Sequence, residues 1–337
     1  MMQLQRSEAQ PAVRSVRTGP RTLERNLLLA PMAGVTNLPF RLIAREAGAA
    51  LVFTETISAT GLVRRGPKSW RLAESSPREE PLAYQLFGSE AETLAEATRM
   101  LVQRGAEFID LNLGCPVKKF IRRGAGSALL RTPDRVAPLV RAMRCAIPEG
   151  VLSVKMRLGW DSDSMTAPEV ARVAEAEGAD FMSVHGRTRA QLYSGRADRA
   201  RIAEVVDAVR VPVFANGDIV SASQALDMLR ETRAAGVMIG RGAMRNPWIF
   251  SQIVELAEGR PVPQLSPRRR AELVERHIHL MREYFDEPTQ TLHMLKKYLC
   301  AYSSGMPGAT SFRERVNRSH DLERTLEDAN QFFKAAA

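Results

Sequence analysis

Residues 82–116 read LAYQLFGSEAETLAEATRMLVQRGAEFIDLNLGCP. The stretch opens on a short apolar run, Leu82–Leu86, and passes into ETLAEATRMLVQRGA, whose apolar residues recur at helical spacing. It breaks at Gly105 and enters a second apolar run, Phe108–Asn112. A glycine in that place takes the left-handed turn that ends a helix. The same unit repeats on both sides. Apolar runs stand at Leu27–Ala30, Leu51–Thr54, Leu152–Met156, Phe181–Val184, Val213–Asn216 and Gly236–Ile239, and APEVARVAEAEGA closes at Gly178 just as the quoted helix closes at Gly105. Near-continuous apolar strands joined by crossover helices belong to parallel sheets covered on both faces. Eight such strands within residues 27–258 predict an α/β fold of the (β/α)8 TIM barrel type. An open, doubly wound sheet is disfavoured, because no G-x-G-x-x-G follows the first strand.

The flanks read differently. Residues 1–26 hold five Arg, two Glu and two Pro with no periodic apolar face, and are expected to be a flexible, weakly basic arm. GRPVPQLSP, residues 259–267, interrupts the alternation as a linker and offers Ser266-Pro267 as a helix cap and first helical position. Beyond it, Val274, Ile278, Met281 and Phe285, then Leu292, Leu295, Leu299 and Tyr302, then Leu322, Leu326, Ala329 and Phe333 step by three and four, so residues 268–337 are expected to form a small helical bundle. TSFRERVN adds a further short helix.

Composition narrows the class. The 337 residues are 45% apolar and 26% charged, enough for a large domain with a small one. No apolar run approaches membrane-spanning length and residues 1–26 lack the apolar centre of a signal peptide, so neither secretion nor membrane insertion is expected. Three cysteines build no disulfide framework, and a cytoplasmic setting is the expectation. Cys145 and Cys300, in helical patterns, read as buried packing residues. The cysteines are isolated and the five histidines lack ligand spacing, so no metal is expected. A net charge of +10 suits an anionic partner.

In such a barrel, polar groups at the carboxyl ends of strands face a shared cleft. Here they are Pro31-Met32-Ala33-Gly34, Gln85, Asn112 with Gly114-Cys115-Pro116, Lys155, Arg157, His185, Asn216-Gly217-Asp218 and Gly240-Arg241-Gly242. The last two turns, on adjacent strands, offer backbone N–H groups and Arg241 to a phosphate-bearing ligand; either turn alone reads equally as an ordinary one. Lys155 lies within an apolar run, where its cation could stabilise negative charge on a reduced ring, with His185 and Gln85 at that ring's polar edge. Cys115 follows a strand directly. At an ordinary pKa its thiol donates a proton, whereas a nucleophile needs a nearby base, and no dyad is spelled locally.

As a set, LAPMAGVTNLPFR, the Gln85 strand, DLNLGCPVKKFIRRGAGSALLR, SVKMRLGW, VHGRTRAQLYSG, VFANGDI and MIGRGAMRNPWIF resemble the flavin-dependent tRNA-dihydrouridine synthases, closest to the bacterial B-type branch. The resemblance covers most of the chain. It implies an FMN-containing barrel with a C-terminal helical domain, reducing uridines of the tRNA D-loop with NADPH as electron source. Pro31, Met32 and Ala33 would line the flavin; Gln85, Lys155 and His185 would contact it; Asn216, Gly217, Asp218, Gly240 and Arg241 would hold its phosphate. Cys115 would be the proton donor, giving a proton to uracil C5 while hydride from flavin N5 reaches C6 on the opposite face. Thr54-Glu55-Thr56-Ile57 departs from the usual TEM-type sequence, and a Gly-Ala stands after Cys115 where relatives often have Leu-Ala, which leaves the uridine position open.

Charge placement favours RNA over a free pyrimidine. RRGPKSWR (64–71), KKFIRR (118–123, with Lys118, Lys119 and Arg122) and RTRAQLYSGRADRAR (187–201, with Arg187 and Arg189) are each expected at the catalytic mouth, with Trp70, Phe120 and Tyr193 available for base stacking. Together with Asn112, these cations are candidate contacts to substrate RNA. Lys296 and Lys297, with Arg313, Arg315 and Arg318, are candidate backbone contacts of the helical domain. The competing readings are a flavin barrel dehydrogenase of a small pyrimidine or other metabolite, and a non-catalytic RNA-binding protein.

Overall fold

The structure, a computed structural model, describes residues 12–263 and 265–335. Eight parallel strands form the barrel wall: β3 (Leu27–Leu29), β4 (Val52–Phe53), β6 (Leu82–Phe87), β7 (Phe108–Leu113), β8 (Val151–Arg157), β9 (Phe181–His185), β10 (Val213–Asn216) and β11 (Gly236–Ile239). A short β5 (Ile57–Ser58) adds to the upper part of β6. The pairing runs β3-β11-β10-β9-β8-β7-β6-β4, and a parallel bridge from Leu28 to Leu51 closes the ring. The quoted unit is as expected: the helix Ala91–Val102 buries Leu94, Ala97 and Leu101, and Gly105 sits at φ +91° before β7.

Side chains alternate along a strand, so one parity faces the barrel axis. At the amino ends that parity carries Leu28, Leu51, Phe53, Ala83, Phe108, Val151, Phe181, Phe214 and Met238 in a single apolar cluster, with Phe181 and Phe214 edge to face at 5.3 Å. The arm expected to be flexible contributes to this cluster. Residues 1–11 lie outside the described ones, but β1 (Val16–Thr18) and β2 (Arg21–Leu23) form an antiparallel hairpin that seats Val16 and Leu23 under the barrel. Its apolar period is two rather than 3.6, and Gly19-Pro20 makes the turn. Arg21 pairs with Glu107, just before β7.

Four helices follow the linker: Pro267–Tyr284, Pro288–Tyr302, Ala309–Arg318 and Leu322–Ala335. The first starts at the expected cap, Ser266 Oγ accepting the Arg269 N–H at 3.3 Å. Phe40 stacks on Tyr298 at 5.3 Å, and Tyr298 donates its hydroxyl to the Val35 carbonyl, so the bundle docks on the loop after β3. Among the described residues no helix is long and apolar enough to cross a membrane.

The cysteine expectation is corrected. Cys145 is exposed and Cys300 half-buried. On its helix, Cys145 falls beside the face that buries Leu139, Val140 and Met143.

Candidate active site

Two and four residues above the apolar cluster, the same inward parity turns polar. Asp110 and Asn112 follow Phe108, Ser153 and Lys155 follow Val151, Ser183 and His185 follow Phe181, and Asn216 follows Phe214. The register sets Lys155 level with Asn112, and His185 level with Asn216 and Arg157. Strand order therefore brings the expected residues to one mouth. Cys115, after β7, stands four strands around the ring from Gly240-Arg241, after β11: the thiol and the phosphate-type turns lie across the opening from each other.

Lys155 is held down to about 8, by burial first and then by Arg157, with Asp110 and Cys115 opposing. Among the described residues its one hydrogen bond is a long 3.4 Å contact to Asn216 Oδ1, and Asn216 is itself fixed by Nδ2 donating to the Met238 carbonyl at 2.7 Å. An ammonium has three donors, so this one is short of acceptors and suits an acceptor-rich, electron-accepting ring. Burial also drives His185 far below its ordinary value, and Lys155, Arg157, Arg187 and Arg241 add to the effect, so the imidazole is neutral. Gly217 has φ +134°, and a Cβ there would come within 2.6 Å of Ala197 Cβ and 3.2 Å of His185 Cδ2, so only glycine lets the backbone run beside the imidazole. Pro31 and Met32 are half-buried and Ala33 exposed, leaving a face of the β3 loop open to a ligand. Gly240 precedes the short helix Arg241–Arg245 and supplies no side-chain cap, and the Arg241 side chain is 58% exposed. These donors and glycines fit a phosphate-bearing flavin.

Cys115 is half-buried. Burial pushes its thiol above the usual value, with the Val117 N–H, Arg157 and Lys155 pulling back, so the group is a protonated thiol at neutral pH. Its carbonyl accepts from Ser127 N and Oγ, and Arg157 Nε donates to the Gly114 carbonyl at 3.1 Å while its Nη1 reaches Thr188 and Leu192. Arg157 thus ties the β7 turn to the β9 loop.

The other expected contacts have these positions and partners. Gln85 is wholly covered, its Oε1 accepting from Thr56 Oγ1 and Asn112 Nδ2. Asn112 is a cap for the Gly114-Cys115 turn, its Oδ1 accepting both N–H groups. Arg187 is 2% exposed and bonded to Asp218 at 2.7 and 2.9 Å, so its guanidinium is buried in that pair. Arg189 and Arg131 lie over Trp160, at 4.4 and 4.8 Å from the ring centre. Lys296 donates to the Asn317 and Ser319 carbonyls. Lys297 donates to the Gly34 carbonyl at 2.7 Å, while Glu55 accepts the Gly34 N–H. Trp70 lies under Arg104 at 3.8 Å, below the mouth, because the helix Ala59–Val63 runs back towards the amino ends before residues 64–71. Phe120 stacks on Phe87 at 3.8 Å. By contrast, Lys118, Lys119, Arg122 and Arg123 are exposed beside Cys115 and form no ion pair among the described residues, and Tyr193 is 58% exposed next to Arg241. Asp110, Thr56, Ser153 and Glu55 were not among the expected site residues.

Comparison with known proteins bears on this geometry. The family model described as dihydrouridine synthase matches residues 28–337. A tRNA-dihydrouridine synthase B of Pseudomonas syringae pv. tomato is 38% identical over 320 residues, covering 95% of this chain and 94% of the relative. A probable tRNA-dihydrouridine synthase of Rickettsia bellii is 38% identical over 94% of this chain and 98% of its own length. Among solved structures, morphinone reductase aligns with a TM-score of 0.53 at 13% identity, over 76% of this chain and 93% of that one. An old yellow enzyme homologue of Zymomonas mobilis aligns at 0.52 and 13%, over 74% and 93%. At such identities these structures share the barrel fold.

Proposed function

This chain belongs to the dihydrouridine synthase family, and from that premise we propose that it reduces the C5–C6 double bond of uridines in the D-loop and arm of tRNA, using bound FMN and NADPH. The observation that carries the reading is the mouth itself: a protonated thiol on the β7 turn stands across from the glycine turns of β10 and β11, with an acceptor-poor ammonium on the wall between them.

In this reading Lys155 and His185 hold the polar edge of the cofactor, with Lys155 aimed by Asn216. Pro31, Met32 and Ala33 cover one side of it. Backbone at Gly217, Asp218 and Gly240, with the Arg241 side chain, takes its phosphate. A flavin held by these residues and reduced by NADPH would supply the hydride that reaches C6 of the uracil. The Cys115 thiol gives its proton to C5, and the thiolate left behind recovers a proton from water. A base in folded tRNA reaches this cleft only when extruded. Lys118, Lys119 and Arg122 meet the backbone beside it, and Tyr193 offers a stacking face.

The test is NADPH oxidation by the purified yellow protein, with tRNA lacking dihydrouridine or with free uridine or orotate as acceptor. Turnover that needs tRNA supports the proposal. Equal turnover of the free pyrimidines would transfer it to the small-metabolite dehydrogenase reading, and a protein that takes up no flavin would remove both.

A further inference from the structure

Below the site lies a buried carboxylate for which the proposed chemistry has no use. Asp110 is 0% exposed, inside the barrel, and accepts hydrogen bonds from Ser153 Oγ at 2.6 Å and Gln85 Nε2 at 2.8 Å. Burial raises its carboxyl to about 6, against the pull of Ser153, Gln85 and Lys155, while each of its two oxygens stands as an acceptor in these bonds. An ionised carboxylate only accepts. The Gln85 amide must therefore turn Nε2 towards Asp110 and Oε1 towards the cleft. That oxygen accepts from Thr56 Oγ1 at 2.5 Å and Asn112 Nδ2 at 2.7 Å. With its nitrogen so engaged, Asn112 can only present Oδ1 to the next turn, where it takes the N–H groups of Gly114 at 3.0 Å and Cys115 at 2.8 Å. Reversing either amide would set donor against donor.

We propose that Asp110 is a positioning residue for Cys115: its carboxylate fixes the sense of the Gln85 and Asn112 amides, and through them holds the turn that carries the thiol. The inference rests on the proposed role of Cys115 in tRNA reduction, but the chain of hydrogen bonds involves neither flavin nor RNA. It also explains why a charge stands in β7 where an apolar residue would be easier to bury.

Iodoacetamide alkylation of Cys115 in the FMN-loaded protein, located by peptide mass spectrometry, reads the turn separately from tRNA turnover. Asp110→Leu removes both acceptors. It is expected to alkylate about tenfold faster, because the loosened turn exposes the thiol, and to reduce tRNA about tenfold more slowly at unchanged flavin content. Asp110→Asn is expected to restore both rates to within about threefold, since the Ser153 hydroxyl can turn from donating to accepting and leave the amide oxygen for Gln85. A folded, flavin-loaded Leu variant with the parental alkylation rate would overturn the proposal. So would an Asn variant as impaired as the Leu one, which would assign the role to charge on Lys155. Should the Leu variant fail to fold, Asn112→Ala cuts the last link and carries the same expectation, with a parental alkylation rate overturning it. If the proposed function were itself wrong, the parent would not turn over tRNA while the alkylation contrast between variants persisted.

Discussion

At the amino end of the barrel the inward residues of β7 to β10 are Phe108, Val151, Phe181 and Phe214, sealed by the β1–β2 hairpin; at the carboxyl end of the same strands they are Asn112, Lys155, His185 and Asn216. Strand, parity and twist are shared, so the contrast lies in side-chain chemistry alone. The lower end removes apolar surface from water and stabilises the fold. The upper end carries a half-buried ammonium, a buried carboxylate and buried amides at a cost in stability, and keeps groups that can act on a ligand.

The largest effect that could break this contrast is on stability. Phe181→Ala is expected to lower unfolding free energy by about 3–5 kcal/mol in a urea titration, with turnover per folded molecule retained. Lys155→Met should do the reverse, leaving stability equal or higher by about 1–3 kcal/mol while weakening FMN binding. A large loss of stability in the Met variant would place Lys155 in the structural half.

The second contrast is in pH. With its ammonium held down to about 8, Lys155 is charged below that pH and neutral above it. FMN affinity of the flavin-free protein is therefore expected to fall as pH rises through about 8, by up to about tenfold per unit. Lys155→Met should abolish this dependence, and fluorescence titrations of FMN at several pH values check it.

Smaller effects separate the two sets of cations. Lys118→Ala, Lys119→Ala and Arg122→Ala are each expected to reduce the salt slope of tRNA binding by about one. Lys296→Ala, whose ammonium already serves the carbonyls ending the helix Ala309–Arg318, should leave the slope unchanged.

Much of the upper end was legible in the sequence, because a polar residue closing an apolar strand has one place to point. Lys155, His185, Asn216 and the Cys115 turn all follow from that rule. Asp110 carried the same signal as Lys155, a charge inside an apolar run, but it sits mid-strand, where only the alternation with Phe108 and Asn112 shows it facing inward. The hairpin escaped because its apolar residues alternate over three positions per strand, too few to stand out beside Arg17 and Arg21. Pairings across the chain were beyond reach. Nothing local tells that Arg187 turns in to Asp218, 31 residues away, or that Lys297 crosses from the bundle to Gly34.

The most direct measurement follows flavin reoxidation after reduced protein is mixed with tRNA lacking dihydrouridine, in the parent and in Cys115→Ala. Rapid reoxidation in the parent, slowed about 100-fold or more in the variant with its flavin spectrum unchanged, is the expected result. Equal rates in the two proteins would contradict Cys115 as the proton donor.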